Sequence, residues 1–108
     1  MRCRTIIKFK NSEEPGSLGF GRGIVQLLEG VEKYGSINRS TNAMGMAYSK
    51  AWKIINSIEE EFHVRLIERE GAHGSHLTED AKTLIARYHE ALDAADAAAQ
   101  EVFRKYYP

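Results

Sequence analysis

The chain has 108 residues, close to the commonest size of a single domain. It carries 15 basic and 15 acidic residues and one cysteine, Cys3, a count that excludes an intrachain disulfide. The sequence contains no apolar run near the roughly 20 residues that span a bilayer, and its basic N-terminus lacks the apolar core of a signal peptide. We therefore expect a cytoplasmic protein with no membrane partner.

The balanced net charge conceals an uneven distribution along the sequence. Basic residues without any acid occupy 1–10 and 33–53, whereas acids collect at 59–61, at 79–80 and along the last third of the chain. Such asymmetry is typical of a protein with one face suited to a polyanion, although most charge runs are simply solvated surface. Nucleic acid is therefore a candidate partner that needs independent support.

The N-terminal residues are predicted to form a strand or a hairpin. Residues 3–9 alternate between inward and outward types, which predicts a half-buried strand. Pro15 and Gly16 suit the two central positions of a type II turn, and 17–20 would return as a second short strand.

Three helices are predicted after residue 21. Apolar residues at helical spacing continue to Gly35, which ends the first helix. Ser36 is a suitable N-cap for a short second helix, 37–44, which Gly45 ends. A third helix begins near 46 or 47, and its predicted apolar stripe comprises Ala47, Ala51, Ile54, Ile55, Ile58 and Phe62.

A hairpin and a long helix complete the predicted elements. The stretch "VRLIER" predicts a short strand, "EGAHGS" a loop and "HLT" an antiparallel return. Thr78 would cap a last helix over about 79–105, whose first turn carries Glu79 and Asp80 as the helix dipole favours.

The motifs that might indicate catalysis or a cofactor are weak. "GFGRG" lacks the last glycine of a dinucleotide fingerprint and fits no βαβ unit, so a turn before a helix is the better interpretation. His73 and His76 lack a third ligand at a recognised spacing, which favours surface or phosphate-contacting histidines over a metal site. Without a nucleophile–base–acid set, we expect neither an enzyme nor a cofactor.

The glycine break between two helices is typical of a helix-turn-helix, here about 36–61. Met44 and Met46 would fill the junction, but an ordinary helical corner explains this segment equally well. The following strand–loop–strand, about 64–77, favours a wing. The whole order predicts a mainly α (α+β) winged helix-turn-helix as a single domain over 1–108, with a long C-terminal helix.

In this fold, helix 47–61 would lie in the major groove of DNA, whose width admits one helix. Trp52 would brace this helix from its flank. The leading polar residues of the helix would contact bases and phosphates: Tyr48, Ser49, Lys50 and Lys53. The wing offers hydrogen-bond donors suited to backbone phosphate: Arg69, His73, Ser75 and His76.

The sequence also resembles a known family. The run Gly35-Ser36-Ile37, then Gly45-Met46, Tyr48 and Lys50-Ala51-Trp52, and finally Leu77-Thr78 resembles the N-terminal DNA-binding domain of the ModE molybdate-responsive regulators. It is also similar to short ModE-like proteins that consist of that domain alone. LysR-type DNA-binding domains share the "RLIER…LT" wing pattern. The resemblance implies further contacts with the DNA backbone from Ser36, Asn38 and Arg39.

The last helix indicates a homodimer. Its predicted length of about 27 residues far exceeds the mean of about 11–12, and a partner helix would cover its stripe of Leu84, Tyr88, Leu92, Ala95, Ala99, Val102 and Phe103. Because the sequence leaves no room for the family's molybdate-binding domains, oxyanion sensing is not carried over from the resemblance, and a separate effector-binding protein is a candidate partner. The leading hypothesis is a dimeric transcriptional regulator of duplex DNA; the alternative is a winged-helix module that binds proteins without binding DNA.

Overall fold

A computed structural model describes residues 1–69 and 74–108. It contains α1 (Arg22–Tyr34), α2 (Ile37–Met44), α3 (Tyr48–Phe62), β1 (Ile67–Arg69), β2 (Ser75–Leu77) and α4 (Glu79–Tyr106). This order confirms the predicted winged helix-turn-helix with a long C-terminal helix. Within the described residues, none of the helices combines the length and apolar character that crossing a membrane requires.

Capping residues set the helix bounds where the sequence predicted them. Ser36 caps α2 because its side chain accepts a hydrogen bond from the Arg39 N–H at 3.2 Å. Thr78 caps α4 in the same way, since its hydroxyl accepts from the Ala81 N–H at 3.1 Å. Helix α3 begins one residue later than the predicted recognition helix, with Ala47 as its N-cap.

The core lies where α1, α3 and the wing meet. Its fully buried members include Leu27, Leu28 and Val31 of α1 and Ile55 and Ile58 of α3. Burying each such side chain contributes about 1.5–3 kcal/mol, so this cluster dominates the stability of the domain. The predicted stripe of α3 is confirmed in its centre but wrong at Ala47, which is exposed at the start of the helix.

The predicted N-terminal hairpin is wrong as a pair of strands. In the described part of the chain, its pairing is a single bridge in which Phe9 and Phe20 exchange N–H···O bonds of 2.9 and 2.7 Å. The type II turn is confirmed, because the Ser17 N–H donates to the Glu14 carbonyl at 3.1 Å and Gly16 has a φ of 97°.

The N-terminal residues lie along α4 and bond to its side chains. The Cys3 N–H donates to Gln100 Oε1, and the Thr5 N–H and hydroxyl both donate to Asp96 Oδ1, all at 2.7 Å. The Thr5 hydroxyl, followed by its N–H, holds the pKa of the Asp96 carboxyl below its ordinary value. The predicted alternation of half-buried and exposed side chains is therefore present without a strand. Side chains of α4, rather than a partner strand, accept hydrogen bonds from this extended backbone.

Helix α4 extends well beyond the core. Its 28 residues correspond to a length of about 42 Å. Among them, only Ala81 and Tyr88 are buried. Tyr88 packs its ring edge-on against Phe9 and Phe20, with centroid distances of 6.3 and 6.4 Å.

Candidate nucleic-acid interface

The outer face of α3 carries the predicted contact residues in solvent. Tyr48, Ser49, Lys50 and Lys53 are all exposed, and the first turn of the helix contains no acid. This exposure follows from the burial of Ala51, Ile55 and Ile58 on the opposite side of the same helix. The helix therefore offers a polar, positively charged face of a width that fits a major groove.

The corner between α2 and α3 fixes the direction of that face. Gly45 adopts the left-handed conformation at φ 67°, which a glycine accepts without steric cost. Its N–H bonds to carbonyls at the end of α2, and the Met46 N–H donates to the Thr41 carbonyl at 2.9 Å. Met44 and Met46 are half-buried against the core, as predicted for side chains that fill the junction.

Close contact between α1 and α2 holds this corner against the rest of the domain. Ser40 is fully buried and donates its hydroxyl to the Leu27 carbonyl at 2.8 Å. The α1 backbone approaches so closely at Gly30 that a Cβ there would lie 2.1 Å from Ser40 Oγ. Small residues at this contact therefore fix the distance between the two helices.

Asn38 and Arg39 of α2 are exposed beside the start of α3. Ser36 is half-buried and uses its side-chain oxygen as the N-cap of α2, so its hydroxyl hydrogen remains a donor. An open groove of about 520 Å³ lies between α2, the leading end of α3 and the wing, and it is lined by Ser36, Ile37, Asn38, Tyr48, Arg69, Gly74 and Ser75. The structure thus brings together five of the residues predicted to contact DNA: Ser36, Asn38, Tyr48, Arg69 and Ser75.

The wing is anchored to the α1–α2 corner. The Ser75 N–H donates to the Gly35 carbonyl at 3.1 Å. At its base, Ile67 pairs with Leu77, and both side chains are buried. One residue further out, on the opposite face, His76 bonds to the Glu68 carboxylate at 3.0 Å. The wing therefore meets solvent through a histidine–carboxylate pair on one face.

Arg69 lies at the outer end of β1, and its side chain turns towards α3. Its Nη2 donates to the Tyr48 hydroxyl at 3.0 Å, and its guanidinium carbon lies 4.6 Å from the centroid of the Trp52 ring. From the sequence, Arg69 was expected to contact phosphate and Trp52 to brace its own helix. The contact between them was not predicted, because no local pattern indicates it.

Glu59 and Glu61, near the C-terminal end of α3, accept hydrogen bonds from neighbouring loops. Glu59 accepts the Leu66 N–H at 2.7 Å, and Glu61 accepts the Asn11 N–H at 2.8 Å and the Ser17 hydroxyl at 2.5 Å. The Ser17 hydroxyl, followed by the Asn11 N–H, holds the pKa of the Glu61 carboxyl below its ordinary value. These carboxylates connect loops to the body of the domain and lie at the other end of α3 from Lys50.

A family model described as "Bacterial regulatory helix-turn-helix protein, lysR family" matches residues 24–82, more than half of the chain. The chain belongs to the LysR family of bacterial regulatory helix-turn-helix proteins. The sequence resemblance to ModE and to LysR-type domains is thereby confirmed, and the chain is a winged-helix DNA-binding domain of this family.

Two relatives illustrate how far the similarity extends. Over 68 residues, the chain is 31% identical to the molybdenum transport protein ModE of Azotobacter vinelandii, a match that covers 59% of this chain and 25% of that protein. The chain thus spans about a quarter of the length of that relative. Its fold is similar to the chain in the crystal structure of the CbnR_DBD–DNA complex, with a TM-score of 0.60 and 14% identity over 77% of this chain and 94% of that chain.

In this LysR-family domain, the residues expected at a dimer interface differ in their exposure. Tyr88 is only 4% exposed and belongs to the core of its own chain. Val102 is 57% exposed. The remaining predicted residues are half-buried: Leu84, Leu92, Ala95, Ala99 and Phe103. The N-terminal residues cover part of this face, through the contacts of Cys3 and Thr5 with α4.

The structure describes one of the two histidines predicted in the wing. His73 lies outside the described residues. His76 pairs with Glu68 across the two strands. Among the residues that the structure describes, no group of three or more His, Cys, Asp or Glu side chains is arranged to hold a metal ion.

Proposed function

We propose that this domain belongs to a small transcriptional regulator that binds duplex DNA sequence-specifically as a homodimer. Helix α3 would lie in the major groove, and the wing would contact the flanking backbone. The observation that carries the proposal is the exposed, acid-free first half of α3, with Ser49, Lys50 and Lys53 on the side opposite the core. Membership of the LysR family supports it independently.

The proposed contact of each exposed residue with DNA depends on the hydrogen-bonding groups of its side chain. Lys50 and Lys53 would contact phosphates or guanine acceptors, and Ser49 would approach base edges from the first turn of α3. Asn38 and Arg39 would contact the backbone on the α2 side of the groove. On the wing side, Ser75 and His76 would contact backbone phosphate, and the sequence predicts the same role for His73.

The dimer is proposed from the outer half of α4. Beyond Leu92 the helix continues to Tyr106 with no buried residue, and Val102 is 57% exposed. A second copy of α4 would cover this surface, and the alanines at 94–95 and 97–99 would allow close approach of the two helices. Two-fold symmetry would then place the two recognition helices about 34 Å apart, one turn of DNA.

A salt titration of binding to labelled duplex DNA tests this function. If the domain neutralises phosphates, the logarithm of the binding constant falls linearly with the logarithm of salt concentration, by about 0.9 per phosphate contact. Lys50→Ala and Lys53→Ala should each weaken binding. Lys82→Ala is the matched control, because Lys82 lies on α4 beside Glu79.

If neither lysine variant on α3 binds more weakly than Lys82→Ala, the assignment of the recognition helix is wrong. If the wild-type protein binds no duplex at low salt, the protein-interaction module becomes the better function. Light scattering at micromolar concentration tests the dimer separately, and a monomer would contradict it.

A further inference from the structure

The face of β1 that carries Arg69 is set by the pairing of the wing strands. Ile67 pairs with Leu77 and Arg69 pairs with Ser75, so these two positions share one face of the hairpin. Ile67 on that face enters the core, whereas Arg69, two residues nearer the tip, reaches the start of α3. The register of the wing therefore directs Arg69 inward, to the recognition helix.

Two aromatic side chains of α3 hold the guanidinium in place. Its carbon lies 4.6 Å from the centroid of the Trp52 ring, a distance typical of a cation–π contact. Tyr48 and Trp52 themselves meet edge-to-face, with centroids 6.4 Å apart. Because they are separated by one helical turn, the three side chains form a closed cluster between the wing and the recognition helix.

The hydrogen bond within this cluster has only one direction. A guanidinium group has donors and no acceptor, so the Tyr48 oxygen must accept the bond of 3.0 Å from Arg69. The hydroxyl hydrogen of Tyr48 is therefore left for a different acceptor. Tyr48 is 43% exposed at the first position of α3 and lines the groove of about 520 Å³, where an acceptor from DNA would lie.

We propose that Arg69 is a positioning residue, and that it fixes the Tyr48 hydroxyl as a donor to a phosphate of the DNA backbone. The inference rests on the proposed DNA binding and assigns Tyr48 a phosphate contact. It replaces the direct phosphate contact that sequence analysis expected of Arg69. The same cluster couples the wing to the recognition helix, since loss of either partner frees the other.

A double-mutant cycle with Tyr48→Phe and Arg69→Lys tests this role. The lysine keeps the positive charge but loses the planar group that stacks on Trp52, so general attraction to DNA is retained. Each single variant should bind duplex DNA about ten- to a hundredfold more weakly, the effect expected from one lost hydrogen bond to a charged phosphate. In the Tyr48→Phe background, Arg69→Lys should change affinity by less than about twofold, since Arg69 acts through Tyr48.

Trp52 supplies a second readout without DNA, because it is the only tryptophan of the chain. Arg69→Lys should change the fluorescence emission of Trp52 in the free protein, whereas the control Arg65→Lys should not. Thermal unfolding of all variants checks that each remains folded. Arg69 is exposed, so this substitution leaves the core intact.

The outcomes separate the two proposals. If wild-type protein binds DNA and Arg69→Lys weakens binding equally in both backgrounds, Arg69 contacts DNA directly and the positioning role is overturned. Unchanged Trp52 emission in Arg69→Lys also overturns it. If wild-type protein binds no duplex, the proposed function fails, and the phosphate contact of Tyr48 fails with it.

Discussion

Replacement of Gly74 by alanine tests how the wing is held. Gly74 has a φ of +86°, and an alanine Cβ there would lie 2.5 Å from the Gly35 carbonyl oxygen. That oxygen also accepts the Ser75 N–H at 3.1 Å. Because Gly35 is the left-handed C-cap of α1, its carbonyl cannot move without disturbing the helix end. The wing must move instead.

Gly16→Ala is the matched control. Gly16 also has a positive φ, +97°, but a Cβ there meets nothing within 4 Å. Both variants incur backbone strain of about 1–2 kcal/mol, and both gain equally from a less flexible unfolded chain. Only Gly74→Ala adds the steric conflict and the loss of the wing anchor, about 1–3 kcal/mol in total.

Urea unfolding of the two variants measures the difference. We expect Gly74→Ala to have a free energy of unfolding about 1–3 kcal/mol below that of Gly16→Ala, and a visibly lower affinity for DNA because the wing is displaced. Equal stability of the two variants would refute the reasoning, since it would mean that the contact with Gly35 places no constraint on the wing.

Further predictions concern the corner, the N-terminal segment and α4. Gly30→Ala should destabilise the domain by about 1–2 kcal/mol in urea, since a clash with buried Ser40 that costs up to about 3 kcal/mol outweighs the roughly 1 kcal/mol gained from the better helix propensity of alanine; an unchanged midpoint would contradict the close contact of α1 and α2. Thr78→Ala should cost about 1–2 kcal/mol through loss of the N-cap of α4, measured by thermal unfolding; a loss below a few tenths would argue against the cap. The folded-state pKa values of Glu61 and Asp96 are lowered, so their stabilisation is complete above their unfolded pKa values and is lost as the pH falls through the folded ones. Wild-type protein should therefore lose stability below about pH 4.5, and the double variant Glu61→Gln, Asp96→Asn should lose less over the same range; identical pH profiles would contradict this.

The elements from α1 to α4 were predictable because local signals mark their ends. Ser36, Gly45 and Thr78 each occupy the cap for which their chemistry suits them, so the helix bounds follow from the sequence to within a residue or two. The wing hairpin followed from its turn residues and its apolar strand. Helix periodicity likewise located the exposed face of α3.

The rest depends on contacts between distant residues. Thr5 bonds to Asp96, which is 91 positions away in the sequence. The N-terminal segment, which alternates like a strand, therefore packs against helix α4 instead of pairing with another strand there. The stripe of α4 was assigned to a partner copy from its length and its apolar pattern, whereas Tyr88 belongs to the core of its own chain. Arg69 was assigned to phosphate by residue type, but the register of the wing brings it to Trp52.

Selection of bound sequences from a random duplex library tests the central claim most directly. We expect enrichment of a pseudo-palindromic motif whose half-sites are centred about one turn, 10–10.5 base pairs, apart. The same selection with Lys50→Ala should lose that enrichment, whereas Lys82→Ala should retain it. Absence of any enriched motif with the wild-type protein would contradict sequence-specific DNA binding through α3.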